Sequence, residues 1–232
     1  ARGEAVALVG ANGTGKSSVN RSLRLLAEIA DDQIVSSLAR EGGFSSVQWA
    51  GPEKISREMR SGDKPVQGTV RQGPIALKLG FADEAMAYAI DLGLPQDGGS
   101  LFSGDPAIKR ELLWTGGKPT PARRIADRRG PGVQARGDDD AFAQITANLP
   151  AYESMIRHVT GPGAPWEVAH LRERMKSWTF YDHFRTDAHA PARLPQIGTR
   201  TLSLAADGAD LAAAVQTIYE VGDGDALNTA ID

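Results

Sequence analysis

Cysteine is absent from the sequence, and only four of its 232 residues are histidine. Without thiols there is no disulfide framework, no thiolate zinc site and no cysteine nucleophile, and four histidines are too few for a histidine-rich metal site. Long hydrophobic runs are missing too: nothing approaches the roughly 18 apolar residues of a membrane helix, and Ala1–Glu4 does not read as a signal peptide. The expectation is a soluble, cytoplasmic chain with no membrane partner. Nor is there an excess of one charge. Lys and Arg number 26 against 29 Asp and Glu, a formal charge of −3, so no overall field draws the chain to nucleic acid. Aromatics make up only 6%. What is present is enough to fold: 41% hydrophobic residues, with Gly 26 and Pro 13 making a turn-rich chain that stays below the roughly 25–30% Gly and Pro of disordered sequences.

Ala5-Val6-Ala7-Leu8-Val9 is an unbroken apolar run, the pattern of a strand buried on both faces of a parallel sheet. A glycine-rich turn follows. From Lys16 the period becomes helical, with Val19, Leu23, Leu26, Ala27 and Ala30 on one face and Asn20, Arg21, Arg24 and Glu28 on the other. Further on, Ile75 to Phe81 and Met86 to Leu94 alternate about an Asp83-Glu84 corner, which predicts an antiparallel hairpin. Val66–Val70 is a candidate strand before it, and Ile108–Trp114 and Ile125–Ala135 are candidates after it. Helical spacing returns at Val168, Leu171, Met175 and Trp178. A last helix is expected with Asp207 as N-cap and Leu211, Ala214, Val215 and Ile218 on its apolar face. The whole reads as one mixed α/β domain over 1–232, divided into a strand-loop-helix segment (1–30), an antiparallel β-rich segment (64–136) and a mainly helical segment (150–232).

The chemistry lies in Gly10-Ala11-Asn12-Gly13-Thr14-Gly15-Lys16-Ser17, a full match to G-x-x-x-x-G-K-[ST]. At ordinary residue frequencies such a match arises by chance in a chain this long on the order of once in a hundred. Successive backbone N–H groups and a helix N-terminus can cradle a phosphate chain. Gly10, Gly13 and Gly15 are expected to supply positive φ and close approach. Lys16 would reach the β- and γ-phosphates, and the Ser17 hydroxyl would ligate Mg²⁺. The plainer alternative is a glycine-rich turn that caps a helix. Hydrolysis needs more: an acidic residue at the end of a second buried strand. Asp83-Glu84, after Leu79-Gly80-Phe81-Ala82, and Asp91, after Ala87-Tyr88-Ala89-Ile90, are the two candidates. Both sit on alternating strands rather than doubly apolar ones, which marks them as decoys. No Asn-Lys-x-Asp guanine-specificity motif follows the loop.

Gly10–Leu26 resembles the nucleotide-binding start of AAA-family ATPases of the RecF/SMC (ABC-type) class. Further segments look like one bacterial branch of it: Trp49-Ala50-Gly51-Pro52-Glu53, Tyr88–Pro95, Asp105-Pro106, Ile108-Lys109-Arg110-Glu111, Tyr152-Glu153-Ser154, Trp178–Asp187, Ala190–Arg193 and Asp207–Ala213. The resemblance implies an α/β P-loop NTPase fold, the first lobe of an ABC/RecF-like head, with an antiparallel β insertion and flanking helices. It implies ATP and Mg²⁺ as ligands, bound by residues 10–18 including Ala11, Asn12, Thr14 and Ser18, and hydrolysis as a conformational switch in DNA repair or defence. It also implies a head-to-head homodimer, with DNA or a protein as the responding partner. The family's signature segment, acidic strand end and switch His are expected after Asp232, so weak turnover is expected of 1–232 alone; Leu202-Ser203 and Ser103-Gly104 only echo the signature.

Lesser candidates have bland alternatives. Gln48 is a weak candidate for a metal-coupling glutamine, against a surface Gln. Arg57 and Arg60 are candidates to reach nucleotide, against a solvated charged segment. The Trp178–Arg185 cluster suggests base stacking, against a helix end packed on the core. His183, His189 and Asp138-Asp139-Asp140 read as loop and turn residues. Two other function classes stay open: a P-loop kinase using Arg123, Arg124, Arg128 and Arg129 as a basic lid, and a non-catalytic nucleotide-binding scaffold.

Overall fold

The computed structural model describes residues 6–48, 54–66, 73–95, 100–137, 139–182 and 184–231. It divides into two compact units, 1–178 and 179–232.

In the first unit a helical pair comes first, α1 (Lys16–Ile29) and α2 (Ile34–Arg40), then a short α3 (Arg57–Ser61) capped by the Ser56 side chain. Six strands follow: β1 (Ala76–Ala82), β2 (Met86–Gly93), β3 (Ala107–Thr115), β4 (Arg124–Arg129), β5 (Gly132–Arg136) and β6 (Phe142–Thr146). They pair in sequence order, every neighbour antiparallel, as a meander. Helices α4 (Met155–His158) and α5 (Trp166–Lys176) close the unit.

The hairpin is where the alternation places it, with Leu79 opposite Ile90 and Phe81 opposite Tyr88. Asp83 builds its corner: Oδ1 accepts the N–H groups of Ala85 (2.8 Å) and Met86 (2.7 Å). Ile125–Ala135, a single candidate strand in sequence, is two strands folded at Gly130-Pro131. Helix α2 and strand β6 have no counterpart among the expected elements.

One face of the sheet carries the core. Met86, Tyr88, Ile90 and Leu92 from β2 meet Leu25, Leu26 and Ile29 of α1, Ile34 and Leu38 of α2, and Val168, Leu171 and Met175 of α5. Burial of such side chains is worth roughly 1.5–3 kcal/mol each. The opposite face has a small cluster of Ala87, Leu112 and Trp114, which is why β2 is apolar at nearly every position although its strands are antiparallel.

The apolar run before the loop departs from expectation. Residues 6–10 form no strand, and Val6 and Val9 are 82% and 91% exposed. A buried parallel strand needs neighbours to take its N–H and C=O groups. The six described strands pair only with one another, and no parallel pair occurs among the described residues. Helix α1 follows the same gradient: Val19 is half exposed near the loop, and burial is complete at Ile29. The expected strand Val66–Val70 lies, beyond Val66, outside the described residues.

The second unit holds α6 (Leu211–Val221) and α7 (Gly224–Ile231). Asp210, not Asp207, occupies the N-cap position of α6; the Asp207 carboxylate instead accepts the Ala209 N–H (3.0 Å) in the preceding turn. Leu211 is exposed, and the buried residue of α6 is Thr217, whose hydroxyl accepts the Thr201 N–H at 2.9 Å.

Candidate functional site

The loop 10–17 ends in α1. Gly13 (φ 81°) and Gly15 (φ 89°) are left-handed, a conformation that residues with a Cβ rarely adopt, so two of the three expected glycines are required by the backbone itself. Gly10 is not left-handed; a Cβ there would meet Thr14 Oγ1 at 3.3 Å, so close approach rather than φ holds that position. Gly15 caps α1 with no side chain, and the first helical hydrogen bond runs from Val19 N–H to Gly15 O (3.1 Å). By helix geometry the N–H groups of Lys16, Ser17 and Ser18 therefore emerge at the helix end without an intrahelical partner. No acidic side chain stands in the first turn to occupy them.

Two side chains brace the loop. Thr14 Oγ1 donates to Ala11 O (2.8 Å), and Lys16 Nζ folds back to donate to Gly10 O (2.7 Å) and Ala11 O (2.6 Å). The ammonium is thus held at the loop by two carbonyl dipoles, neither a full charge. A phosphate oxygen would be a stronger, charge-assisted partner. Asn12, Ser17 and Ser18 are exposed. The Ser17 hydroxyl has no hydrogen-bond partner among the described residues. A primary hydroxyl free at the second position of the helix, beside an ammonium and open N–H groups, is a donor set that fits Mg²⁺ carried by a phosphate chain.

The carboxylates offered as metal-binding strand ends have other work. Asp83 is the hairpin corner and pairs with Arg174; Asp91 faces Lys78 across β1 and β2 at 3.6 Å. Three of the four arginines of the supposed kinase lid are likewise absorbed by the sheet, and Arg123 stands alone just before it. Arg124 and Arg129 pair with Asp127 at 3.0 and 3.3 Å, and Arg128 is buried against Glu111 at 3.0 Å. A mobile basic lid cannot be built from them.

Gln48 sits half-buried in the turn after α2, and Arg57 and Arg60 are exposed on α3. Trp178 packs edge-on against Phe81 (centroids 4.9 Å apart, 70°), the core role rather than the stacking one. His189 is exposed, and its N–H donates to Asp187. Asp139 and Asp140 are exposed, with Asp140 paired to Arg136 at 3.2 Å. His183 and Asp138 lie outside the described residues. No group of three or more His, Asp or Glu that could hold a metal occurs among the described residues, and no described helix is long and apolar enough to cross a membrane.

Reasoning from sequence missed the polar core. Glu111, Arg128, Tyr88 and Ser154 are all essentially inaccessible to solvent. Tyr88 Oη (2.8 Å) and Ser154 Oγ (2.5 Å) donate to Glu111 Oε1, while Met155 N–H (2.8 Å) and Arg128 Nη1 (3.0 Å) donate to Oε2. Arg128 also donates to Gly130 O and Pro150 O, both at 2.8 Å, and to Glu153 O. Burial, followed by the Glu111 charge, holds the Tyr88 phenol well above its usual pKa. The network reaches the loop helix through Asp32, just past α1 in a left-handed conformation (φ 56°): its carboxylate accepts the Ser154 N–H (2.8 Å) and pairs with Arg157 (3.3 Å).

A braced glycine loop opening a helix with free N–H groups and a lysine at its mouth defines a phosphate-binding, P-loop type of domain. The chain belongs to the family described as "AAA domain, putative AbiEii toxin, Type IV TA system", whose model matches residues 5–226. That membership makes it a nucleotide-binding AAA domain of the P-loop NTPase superfamily, whose general chemistry is ATP hydrolysis. No curated protein and no solved structure gives a significant match.

Proposed function

We propose that the chain binds ATP with Mg²⁺ through residues 10–18 and acts as a RecF/SMC-like switch, two copies meeting head to head around the nucleotide. The observation that carries this reading is the Lys16 ammonium resting on Gly10 O and Ala11 O beside the left-handed Gly13 and Gly15. The glycines let the loop's N–H groups converge on phosphate oxygens, and Lys16 exchanges two carbonyl partners for anionic ones. Mg²⁺, when bound, would neutralise charge between β- and γ-oxygens, with the Ser17 hydroxyl as its ligand from this chain. Asp83 and Asp91 are engaged elsewhere, so residues 1–232 offer neither as the acid that orients metal and water, and slow turnover is expected. Cytoplasmic placement rests on the composition of the sequence; a role in DNA repair or defence, and DNA or a protein as the responding partner, rest on the resemblance to RecF/SMC-type ATPases.

Calorimetry with ATP and Mg²⁺ on the chain and on Lys16→Ala tests the reading. Affinity should fall by roughly ten- to a hundred-fold on losing one charge-assisted contact set. Equal affinity would overturn it. Ser17→Ala should lose the Mg²⁺-dependent part of binding and keep the part that survives in EDTA.

A further inference from the structure

A second site stands apart from the loop, in a cavity of about 330 Å³, within the range of small-ligand pockets. Its lining includes Thr115, Arg123, Ile125, Arg136, Trp166 and Glu167. Ile125 is buried and gives an apolar floor. Trp166 is 67% exposed, with only the His170 ring edge-on to it at 5.7 Å. A large indole left uncovered, with no partner for its N–H among the described residues, is an uncommon expense of surface. Glu167 is half-buried, and its carboxylate has no ion pair or hydrogen bond among the described residues. It stands in the first turn of α5, where the helix dipole favours an anion, so its oxygens stay charged and keep acceptor capacity for a ligand's donors.

The cations are not equivalent. Arg136 is spent: it donates to Arg124 O (3.0 Å), Ala122 O (2.6 Å) and Asp140 (3.2 Å). Arg123 is anchored by one nitrogen only, Nη1 to Gly116 O at 3.0 Å, which leaves the rest of its fork for a ligand. The turn that carries that carbonyl is itself fixed, since Trp114 Nε1 donates to Gly117 O at 2.9 Å.

The cavity therefore offers a π-face, a carboxylate wanting donors and an arginine fork wanting acceptors. We infer that it binds a guanine base. Guanine is planar and stacks on an indole; its N1–H and N2–H₂ edge donates to a carboxylate, and O6 with N7 accepts an arginine fork. Adenine fits worse: it has a donor where O6 would accept from Arg123 and lacks the N1–H that Glu167 would accept. The shared chemistry is the base, whether it belongs to a free nucleotide or to a single strand. Phosphate does not define the site, so it is independent of residues 10–18.

Guanosine, which has no phosphate for the loop, is the first probe, titrated by calorimetry against adenosine and cytidine. The second is a labelled five-nucleotide thymidine strand with one central guanine, or adenine, read by anisotropy. Guanine should be preferred about ten-fold or more in at least one arm. Glu167→Gln should erase that preference, Trp166→Ala should weaken every base, and Lys16→Ala should change neither. Binding of guanosine identifies a free-nucleotide site; binding of the strand alone identifies a nucleic-acid site; both uphold the inference. No saturable guanine binding in either arm, or full preference retained by Glu167→Gln with an unchanged melting temperature, overturns it.

Discussion

The loop at 10–18 and the polar core around Glu111 share three kinds of group, backbone N–H, hydroxyl and cation, and treat them oppositely; only the core adds a carboxylate. In the core every donor is matched: Glu111 receives four hydrogen bonds and Arg128 is shared among a carboxylate and three carbonyls. At the loop the helix N–H groups and the Ser17 hydroxyl are open, and Lys16 is parked on carbonyls. Saturation out of water holds an architecture together; open polar groups beside a rigid helix are the means of binding something. Asp32 lies between the two, at the far end of the loop's own helix.

The largest effect should come from breaking the saturated side. Arg128→Met leaves Glu111 as a buried charge without its cation, and chemical denaturation should register a loss of about 3–5 kcal/mol or failure to fold. The double variant Arg128→Met with Glu111→Leu should recover much of that loss, because the orphaned charge is then gone. If the single variant is as stable as the parent, the core is not a saturated network. Next, Lys16→Ala should leave the unfolding free energy within about 0.5 kcal/mol while nucleotide affinity collapses, the reverse of Arg128→Met. A matching loss of stability would erase the distinction between the regions.

Asp32→Ala should cost about 1–2 kcal/mol, since it removes the acceptor of the Ser154 N–H and places Ala at positive φ; Asp32→Asn, which tolerates that φ and keeps an acceptor, should cost less. The smallest effect concerns the second unit. Hydrogen bonding from Arg185 pulls the exposed Asp187 carboxyl below the usual carboxylate range. A depressed pKa contributes stability above the unfolded value and loses it as pH falls through the folded one. Local order at 185–189 should persist at pH 5 and fade only below about pH 4, read from the Asp187 and His189 amide resonances, with global stability hardly moved.

How much of this was legible in sequence depended on the range of the interactions involved. The hairpin about Asp83-Glu84 was readable because alternation and an Asx corner are local, and so was α1 with its glycine loop. The strand expected at 5–9 was not: its apolar composition was visible, but a strand exists only through neighbours, and Val6 and Val9, both exposed, have no strand partner among the described residues. Strand β6 escaped because its side chains are nearly all exposed and carry no alternating signal. Trp166 left a faint trace, an aromatic lying off the Val168-Leu171-Met175 stripe of its own helix.

The sequence by itself determined the glycine loop, because the left-handed positions of Gly13 and Gly15 and the lysine that opens α1 all lie within eight residues. The tertiary structure alone decided which charges are available. Asp83 and Asp91, marked by their alternating strands as decoys, and Arg124, Arg128 and Arg129, candidates for a basic lid, all find partners: Asp91 and Arg128 across neighbouring strands, Asp83 on α5, and Arg124 and Arg129 at Asp127 of their own strand. Outside the strands, Arg123 keeps most of its guanidinium and Glu167 its carboxylate free beside an uncovered indole. Apart from the two local pairs at Asp127, these pairings are a matter of distance in space, which spacing along the chain does not encode.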